Sequence, residues 1–312
     1  MTAGPPAGAA ATAGLLTSSG MHQAPARSLL VLVVVAAAVA AGVAGFAAFR
    51  ASSRAQSPAA QPAQAQAPAP APAPVPAQPQ GPPARTLRCA TPAHPYPVVL
   101  VPGTFDATSW TAIDDGLAAR GYCVETFSYS SAGEGPIGSS ARSLGRFVDH
   151  VLARTGAARV SIVAHSQGGV VARYYVRFLG GSGKVEDLVA LAPPNHGTST
   201  PLVIPGAVLG CVACAQQAVG STLLAKLNAG DGTPPPVDYT VVGTRYDMVV
   251  VPYQSAFLSG PANRVTDVTL QAACPADVAT HLTITDDPVA VQWVEDALSR
   301  NGPADPSLRP QC

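Results

Sequence analysis

The stretch Val163–Tyr175, VAHSQGGVVARYY, decides how this chain is expected to fold. It joins an apolar run, Ser161–Ala164, to a pattern typical of a helix, and it places Ser166 at the corner between them. Such a strand-to-helix turn lifts a hydroxyl clear of the sheet, provided that the residues two positions away on either side are small. Here those residues are Ala164 and Gly168. The stretch therefore predicts a nucleophilic serine at the carboxyl end of a central strand.

Short apolar runs alternate with helical patterns along the rest of the domain. Strands are expected at Val98–Val101, Tyr122–Tyr129, Ser161–Ala164, Leu188–Ala192, Tyr239–Gly243 and Arg264–Leu270. Helices are expected at Trp110–Arg120, Leu144–Thr155, from Ser166 to Gly180, and Val289–Arg300. In the second helix the expected core residues are Leu144, Phe147, Val148, Val151 and Leu152. The alternation predicts an α/β fold with a mostly parallel central sheet and helices on both faces.

A serine hydroxyl becomes a good nucleophile when a histidine takes its proton and a carboxylate orients that histidine. In sheets of this kind the chain order is serine, acid, histidine. Asp247 follows the strand that ends at Gly243, and His281 follows the strand that ends near Leu270. Both lie where strand-end loops are expected. We predict a catalytic triad of Ser166, Asp247 and His281.

Other titratable residues are weaker candidates for the triad. His165 is expected to point away from Ser166 and to have a structural role, whereas His196 follows a strand end and is the serious alternative base. The other histidines precede the serine: His22, His94 and His150. The alternative acids precede a strand or crowd the His281 loop, where they can be turn residues: Asp238, Asp277, Asp286 and Asp287.

An acyl-transfer reaction also needs two backbone N–H donors for the oxyanion. One is expected from Gln167, the residue after the nucleophile. The other is expected from Thr104, which follows the first strand, because Gly103 allows a tight turn there.

Composition sets a long N-terminal region apart from one folded domain. Residues 1–27 are expected to be a cytoplasmic N-terminal region, the n-region, in which Arg27 supplies the positive charge. Residues 28–49 carry no charge, and their length is close to the roughly 20 residues that cross a bilayer. This segment fits either a cleaved signal peptide or a retained membrane anchor. Residues 50–84 form a linker rich in Ala and Pro, which favours a semi-rigid extended spacer. The folded domain is expected at 85–312. We therefore expect a secreted protein or one anchored at the cell surface.

All the cysteines follow the linker, and their number is even, so disulfide bonds are expected. The six residues allow 15 connectivities. A metal site at the CVAC motif would need a second ligand pair, which the sequence does not provide at zinc-like spacing. The disulfide candidates are Cys89, Cys123, Cys211, Cys214, Cys274 and Cys312.

The formal net charge is zero, which argues against binding to nucleic acid. Nothing in the sequence calls for a metal or an organic cofactor. The apolar segment Thr198–Gly230 interrupts the strand–helix alternation, and it can form a wall of an acyl pocket, a lid, or ordinary connecting helices. We expect a monomer whose partner is a lipid or small ester substrate, with membrane contact through residues 28–49 if they are retained.

Five segments carry a resemblance to a known family: LVPGTF, AHSQGGVVARYYVRF, KVEDLVALAPPNHGT, GTRYDMVVVPY and ATHL. Together they resemble the class 2 lipases of actinobacteria and, more distantly, the fungal lipase B type, over most of Cys89–Cys312. The resemblance implies an α/β-hydrolase fold, the triad named above and an oxyanion hole at Thr104 and Gln167. It also implies three disulfide pairings: Cys89–Cys123, Cys211–Cys214 and Cys274–Cys312.

Two departures from the family pattern do not remove a catalytic group. Many relatives have His-Gly where this chain has Pro102 and Gly103, and Ala164 replaces the first glycine of the turn. We expect a carboxylic ester hydrolase that forms an acyl-enzyme. The alternatives are an envelope acyltransferase or polyester hydrolase with the same triad, and a catalytically silent envelope or adhesion protein.

Overall fold

A parallel six-stranded sheet forms the centre of the domain. The structure is a computed structural model that describes residues 91–106, 108–200 and 210–312. The segments 1–27, 28–49 and 50–84 lie outside the described residues, as does Cys89. Neighbouring strands are parallel throughout, in the order β2-β1-β3-β4-β5-β6. The strands are β1 Val98–Val101, β2 Val124–Thr126, β3 Val160–His165, β4 Val185–Leu191, β5 Asp238–Gly243 and β6 Val265–Thr269.

Helices cover both faces of this sheet. They are α1 Thr111–Ala119, α2 Ile137–Thr155, α3 Gln167–Phe178, α4 Val212–Gln216, α5 Thr222–Asn228, α6 Leu270–Ala273 and α7 Pro288–Leu298. Val99 and Val101 of β1 pack in a core with α2 and α3, whereas Val98 and Leu100 pack in a second core with α1 and α7. The expected α/β fold with helices on both faces is confirmed. No helix of the described segments has both the length and the apolar character to cross a bilayer.

Burial on both faces explains why the central strands are continuous apolar runs. Every residue of β1 is buried, and so is every residue of β3. Their carboxyl ends lie side by side, because Val101 pairs with Ala164 in parallel register. The residues that follow these two strands, Thr104 and Ser166, are therefore brought to one edge of the sheet.

Most element boundaries shift by one to three residues, and two elements differ more clearly from expectation. The strand expected at Tyr122–Tyr129 is regular only over Val124–Thr126. Helix α2 begins at Ile137, directly after Pro136, well before the expected start at Leu144. Its first turns are rich in Gly and Ser, and only Ile137 and Ala141 are buried there. Two apolar residues are a weak helical pattern, so the sequence does not show where the helix begins. The expected core residues Phe147 and Leu152 are only partly buried.

Disulfide bonds close two parts of the domain. Cys211 and Cys214 are joined at the start of α4, and Cys274 is joined to Cys312 near the C-terminus. These are two of the expected pairings. Cys123 is also disulfide-bonded.

Candidate active site

Ser166 lies at the sharp turn between β3 and α3. Its φ of 53° and ψ of −125° are unusual for a residue with a side chain, and such strain is typical of a serine held for reaction. The turn is possible because Gly168 has no side chain. A Cβ at that position would lie 2.6 Å from the carbonyl oxygen of Pro102 and closer still to that of Val101. The small residue expected two positions after the serine is thus a steric requirement of the packing between β1 and α3.

The hydroxyl of Ser166 is hydrogen-bonded to a histidine from a distant loop. Its Oγ is 2.9 Å from Nε2 of His281, and both residues are buried. Nδ1 of the same ring is 2.8 Å from Oδ2 of Asp247. The structure therefore brings together the three side chains that the sequence predicted. A chain of hydrogen bonds runs from the serine to the histidine and from the histidine to the acid.

Asp247 is held so that it can act only as an acceptor toward His281. Its Oδ1 accepts from the backbone N–H groups of Val249, at 2.8 Å, and Val250, at 2.7 Å. With Oδ2 facing the ring, the carboxylate requires a proton on Nδ1 of His281. Nε2 is then unprotonated and can accept the proton of Ser166. The loop after β5 thus sets the tautomer that a general base needs.

The alternative base and acids have other contacts. His196 is exposed, and its Nδ1 lies 3.4 Å from the amide of Asn228. Partial desolvation of its ring, followed by the nearby positive charge of Arg173, lowers the pKa of His196. The carboxylates form turn and cap contacts: Asp277 accepts from Ala279 N, Asp286 from Ala112 N, and Asp287 from Val289 N and Ala290 N, while Asp238 begins β5. None of them is hydrogen-bonded to a histidine within the described segments.

Thr104 and Gln167, the expected oxyanion residues, contact each other beside Ser166. The Thr104 hydroxyl donates to Oε1 of Gln167 at 2.6 Å, and the Gln167 amide donates to the carbonyl oxygen of Gly133 at 2.8 Å. Neither backbone N–H donates to another group of the described residues. Both N–H groups are therefore available to an oxyanion at the Ser166 turn.

Gln217 is a member of this network that the sequence reasoning missed. Its Nε2 donates to Oε1 of Gln167 at 2.8 Å, and it lies 3.4 Å from the Thr104 hydroxyl. The residue follows α4, the helix that the Cys211–Cys214 bond closes. Part of the Thr198–Gly230 segment thus supports the residues around Ser166. No motif marks this glutamine in the sequence; only the tertiary packing brings it there.

A cavity of about 270 Å³ opens beside Ser166 and His281. Two threonine hydroxyls in its wall already donate to backbone carbonyls. Thr198 donates to Val249 O at 2.7 Å, and Thr200 donates to Met248 O at 3.4 Å. The mouth is apolar: Phe105 is 56% exposed and Leu282 is 54% exposed. The other lining residues include Gly103, Thr104, Thr108, His165, Pro194, Cys214, Gln217 and Val250. Such a cavity suits an apolar group attached to a carbonyl at Ser166.

His165, for which the sequence indicates a structural role, lies beside the triad and lines the cavity. It is 2% exposed, and its ring lies against that of His281 with centroids 4.8 Å apart. No hydrogen bond joins it to the hydroxyl of Ser166 within the described residues.

Comparison with known proteins agrees with this geometry. The sequence model of the family described as lipase (class 2) matches residues 95–294, which is more than half of the chain. The chain belongs to the class 2 lipase family. The resemblance seen in the sequence is thus confirmed, and the matched range of this class 2 lipase includes Ser166, Asp247 and His281.

Solved structures show the same fold. Lipase B of Aspergillus fumigatus superposes with a TM-score of 0.60 at 24% identity, covering 68% of this chain and 54% of that one. The propeptide form of lipase BlEst2 of Bacillus licheniformis gives a TM-score of 0.53 at 14% identity, covering 70% of this chain and 53% of that one. This class 2 lipase therefore spans about half the length of either protein, and the likeness establishes the α/β-hydrolase fold.

Proposed function

We propose that this class 2 lipase is a serine carboxylic ester hydrolase that cleaves acyl esters through an acyl-enzyme on Ser166. The observation that carries the proposal is the unbroken hydrogen-bond chain from Ser166 through His281 to Asp247. A silent relative would have no need to keep all three groups in bonding distance at a strained turn.

The proposed reaction has two steps. In the first, Oγ of Ser166 attacks the ester carbonyl while Nε2 of His281 accepts its proton, which then passes to the departing alcohol. In the second, His281 takes a proton from water, and the resulting attack releases the carboxylic acid and returns the proton to Ser166. The backbone N–H groups of Thr104 and Gln167 stabilise the oxyanion in both steps. Asp247 stabilises the charged imidazole.

The proposed substrates are esters with an apolar acyl chain, such as acylglycerols. Two exposed apolar side chains, Phe105 and Leu282, line the cavity, which supports an apolar substrate more than a charged one. Further exposed apolar side chains lie on the loops after β5 and β6 that carry Asp247 and His281: Tyr246, Met248, Val251 and Val278. We further propose that the protein acts outside the cytoplasm, because disulfide bonds persist in oxidising compartments.

Hydrolysis of a p-nitrophenyl ester series from butanoyl to palmitoyl tests the proposal. The full chain, produced under oxidising conditions, is compared with Ser166→Ala and with Ser139→Ala, an exposed serine on α2. We expect the hydrolytic activity of Ser166→Ala to fall to background on every ester. The activity of Ser139→Ala should equal that of the wild type. Activity that survives Ser166→Ala would refute the proposal. The same assay with an added alcohol tests the acyltransferase alternative. Transfer of the acyl group to the alcohol in excess of hydrolysis would identify an acyltransferase.

A further inference from the structure

His165 connects three parts of the site, although it does not bind Ser166. It is the last residue of β3, and the next residue is the proposed nucleophile. A buried polar ring at this position must find partners inside the protein. Its partners lie on the loops that carry the proposed base and Thr104, one of the proposed oxyanion donors.

The first contact is with the main chain of His281. Nε2 of His165 is 2.9 Å from the carbonyl oxygen of His281. Because a carbonyl can only accept, Nε2 carries the proton and Nδ1 does not. Nδ1 instead faces the hydroxyl of Thr108 at 3.5 Å. Burial, and then the neighbouring His281, lower the pKa of His165 to about 3, so the ring is neutral at neutral pH.

The second contact is with the imidazole of His281. The two rings are tilted by 52° with centroids 4.8 Å apart. Asp247 and Ser166 bind the two nitrogens of the His281 ring, but neither holds its backbone. Other hydrogen bonds hold the residues before it, since Thr244 donates to the carbonyl of Ala279 at 2.6 Å. His165 therefore reaches the carbonyl of the base residue itself.

The third contact is with the loop after β1. A Cβ at Gly103 would lie 3.1 Å from Nδ1 of His165 and 3.0 Å from Cβ of Ser166. The glycine therefore lets the backbone that leads to Thr104 rest on the His165 ring. One buried side chain thus contacts the oxyanion loop, precedes the nucleophile and binds the base.

We propose that His165 is a positioning residue, whose Nε2–H group holds the main chain of His281 so that its ring stays aligned between Ser166 and Asp247. The proposal rests on the hydrolase function proposed above. General base catalysis depends on hydrogen-bond reach, and a displacement of about 1 Å can reduce the rate about a hundredfold. The effect of losing this contact should therefore appear in kcat.

Three substitutions separate the hydrogen bond from the volume of the ring. His165→Gln keeps an N–H donor at about the reach of Nε2, His165→Asn ends one carbon short, and His165→Leu fills similar space without a donor. We expect kcat of the Asn and Leu variants to fall about ten- to a hundredfold, while their KM stays within about twofold of the wild type. The kcat of the Gln variant should stay within about threefold of the wild type. His150→Gln, on the exposed face of α2, is the matched control and should change neither constant.

Each other outcome would overturn the proposal. Wild-type kcat in the Leu or Asn variant would show that the contact is not needed. Equal loss in the Gln and Asn variants would show that the donor is not the cause, and a raised KM at unchanged kcat would make the ring a substrate contact. If the Leu variant does not fold, the comparison of Gln with Asn decides, because these side chains differ by one carbon.

A measurement without substrate separates this proposal from the hydrolase function. The experiment follows, by NMR, the proton that the hydrogen bond to Asp247 requires on Nδ1 of His281. We expect its exchange with water to be slow in the wild type and the Gln variant and faster in the Asn and Leu variants. If the wild type hydrolyses no ester, the hydrolase function fails, yet this exchange still tests the positioning. Equal exchange in all four proteins would refute the positioning role.

Discussion

Replacing Asp247 with Asn should abolish catalysis while leaving the fold intact. Two backbone N–H groups, from Val249 and Val250, bond to Oδ1, so an asparagine must keep its oxygen at that position. Its amide nitrogen then takes the place of Oδ2, 2.8 Å from Nδ1 of His281, and donates to it. The imidazole must move its proton to Nε2. That proton faces Ser166, so the ring can no longer act as the base.

The expected loss of kcat for Asp247→Asn is about 10⁴-fold, or about 5 kcal/mol of transition-state stabilisation. Because both backbone hydrogen bonds are kept, the unfolding temperature should stay within about 3 °C of the wild type. The assay is steady-state hydrolysis of p-nitrophenyl butanoate together with thermal unfolding. Asp286→Asn, an exposed acid of the His281 region, is the control and should retain full activity. A folded Asp247→Asn protein with kcat within tenfold of the wild type would refute this assignment of the acid.

Two further predictions concern packing and pH. Gly168→Ala forces a Cβ against the carbonyl oxygens of Val101 and Pro102, so we expect urea unfolding to show a free energy of unfolding lower by about 3 kcal/mol or more. Gly183→Ala, where the added Cβ meets open space, should leave that free energy almost unchanged. Equal stability of the two variants would count against the close approach of α3 to the end of β1. Burial raises the pKa of Asp187 to about 7, so the stabilising contribution of this group is fully present below its unfolded pKa, near 4, and is lost as the pH rises through 7. Asp187→Asn should therefore be as stable as the wild type at pH 4 and more stable at pH 8 by up to about 4 kcal/mol, and an equal difference at both pH values would exclude this cause.

The sequence was sufficient to predict most of the fold. Strands such as β1 and β3 are covered on both faces, so each is a short, continuous apolar run that local pattern can detect. The positions of Ser166, Asp247 and His281 follow from chain order and from the strand ends. The hydrogen bonds among the three residues are known only from the structure. Their catalytic roles remain a proposal.

The residues that sequence reasoning missed act through long-range contacts. Gln217 belongs to no motif, and its amide reaches Gln167 and Thr104 only through tertiary packing that brings the end of α4 beside them. Arg173 is similar, since it is buried and donates to the side-chain oxygens of Asn195, in the loop after β4, and of Asn228, the last residue of α5. The sequence indicates a structural role for His165, but its bond to His281 depends on a residue 116 positions away. Local periodicity carries no information about such pairs.

Covalent labelling of the protein by an alkyl p-nitrophenyl phosphonate is the sharpest test of Ser166 as the nucleophile. This reagent mimics an ester at its tetrahedral stage and stays on the serine that attacks it. We expect one phosphonyl group per chain by intact mass, located on Ser166 by peptide mapping, and no label on Ser166→Ala. A folded, oxidised protein that remains unlabelled, or that carries the group on another residue, would contradict the assignment of Ser166.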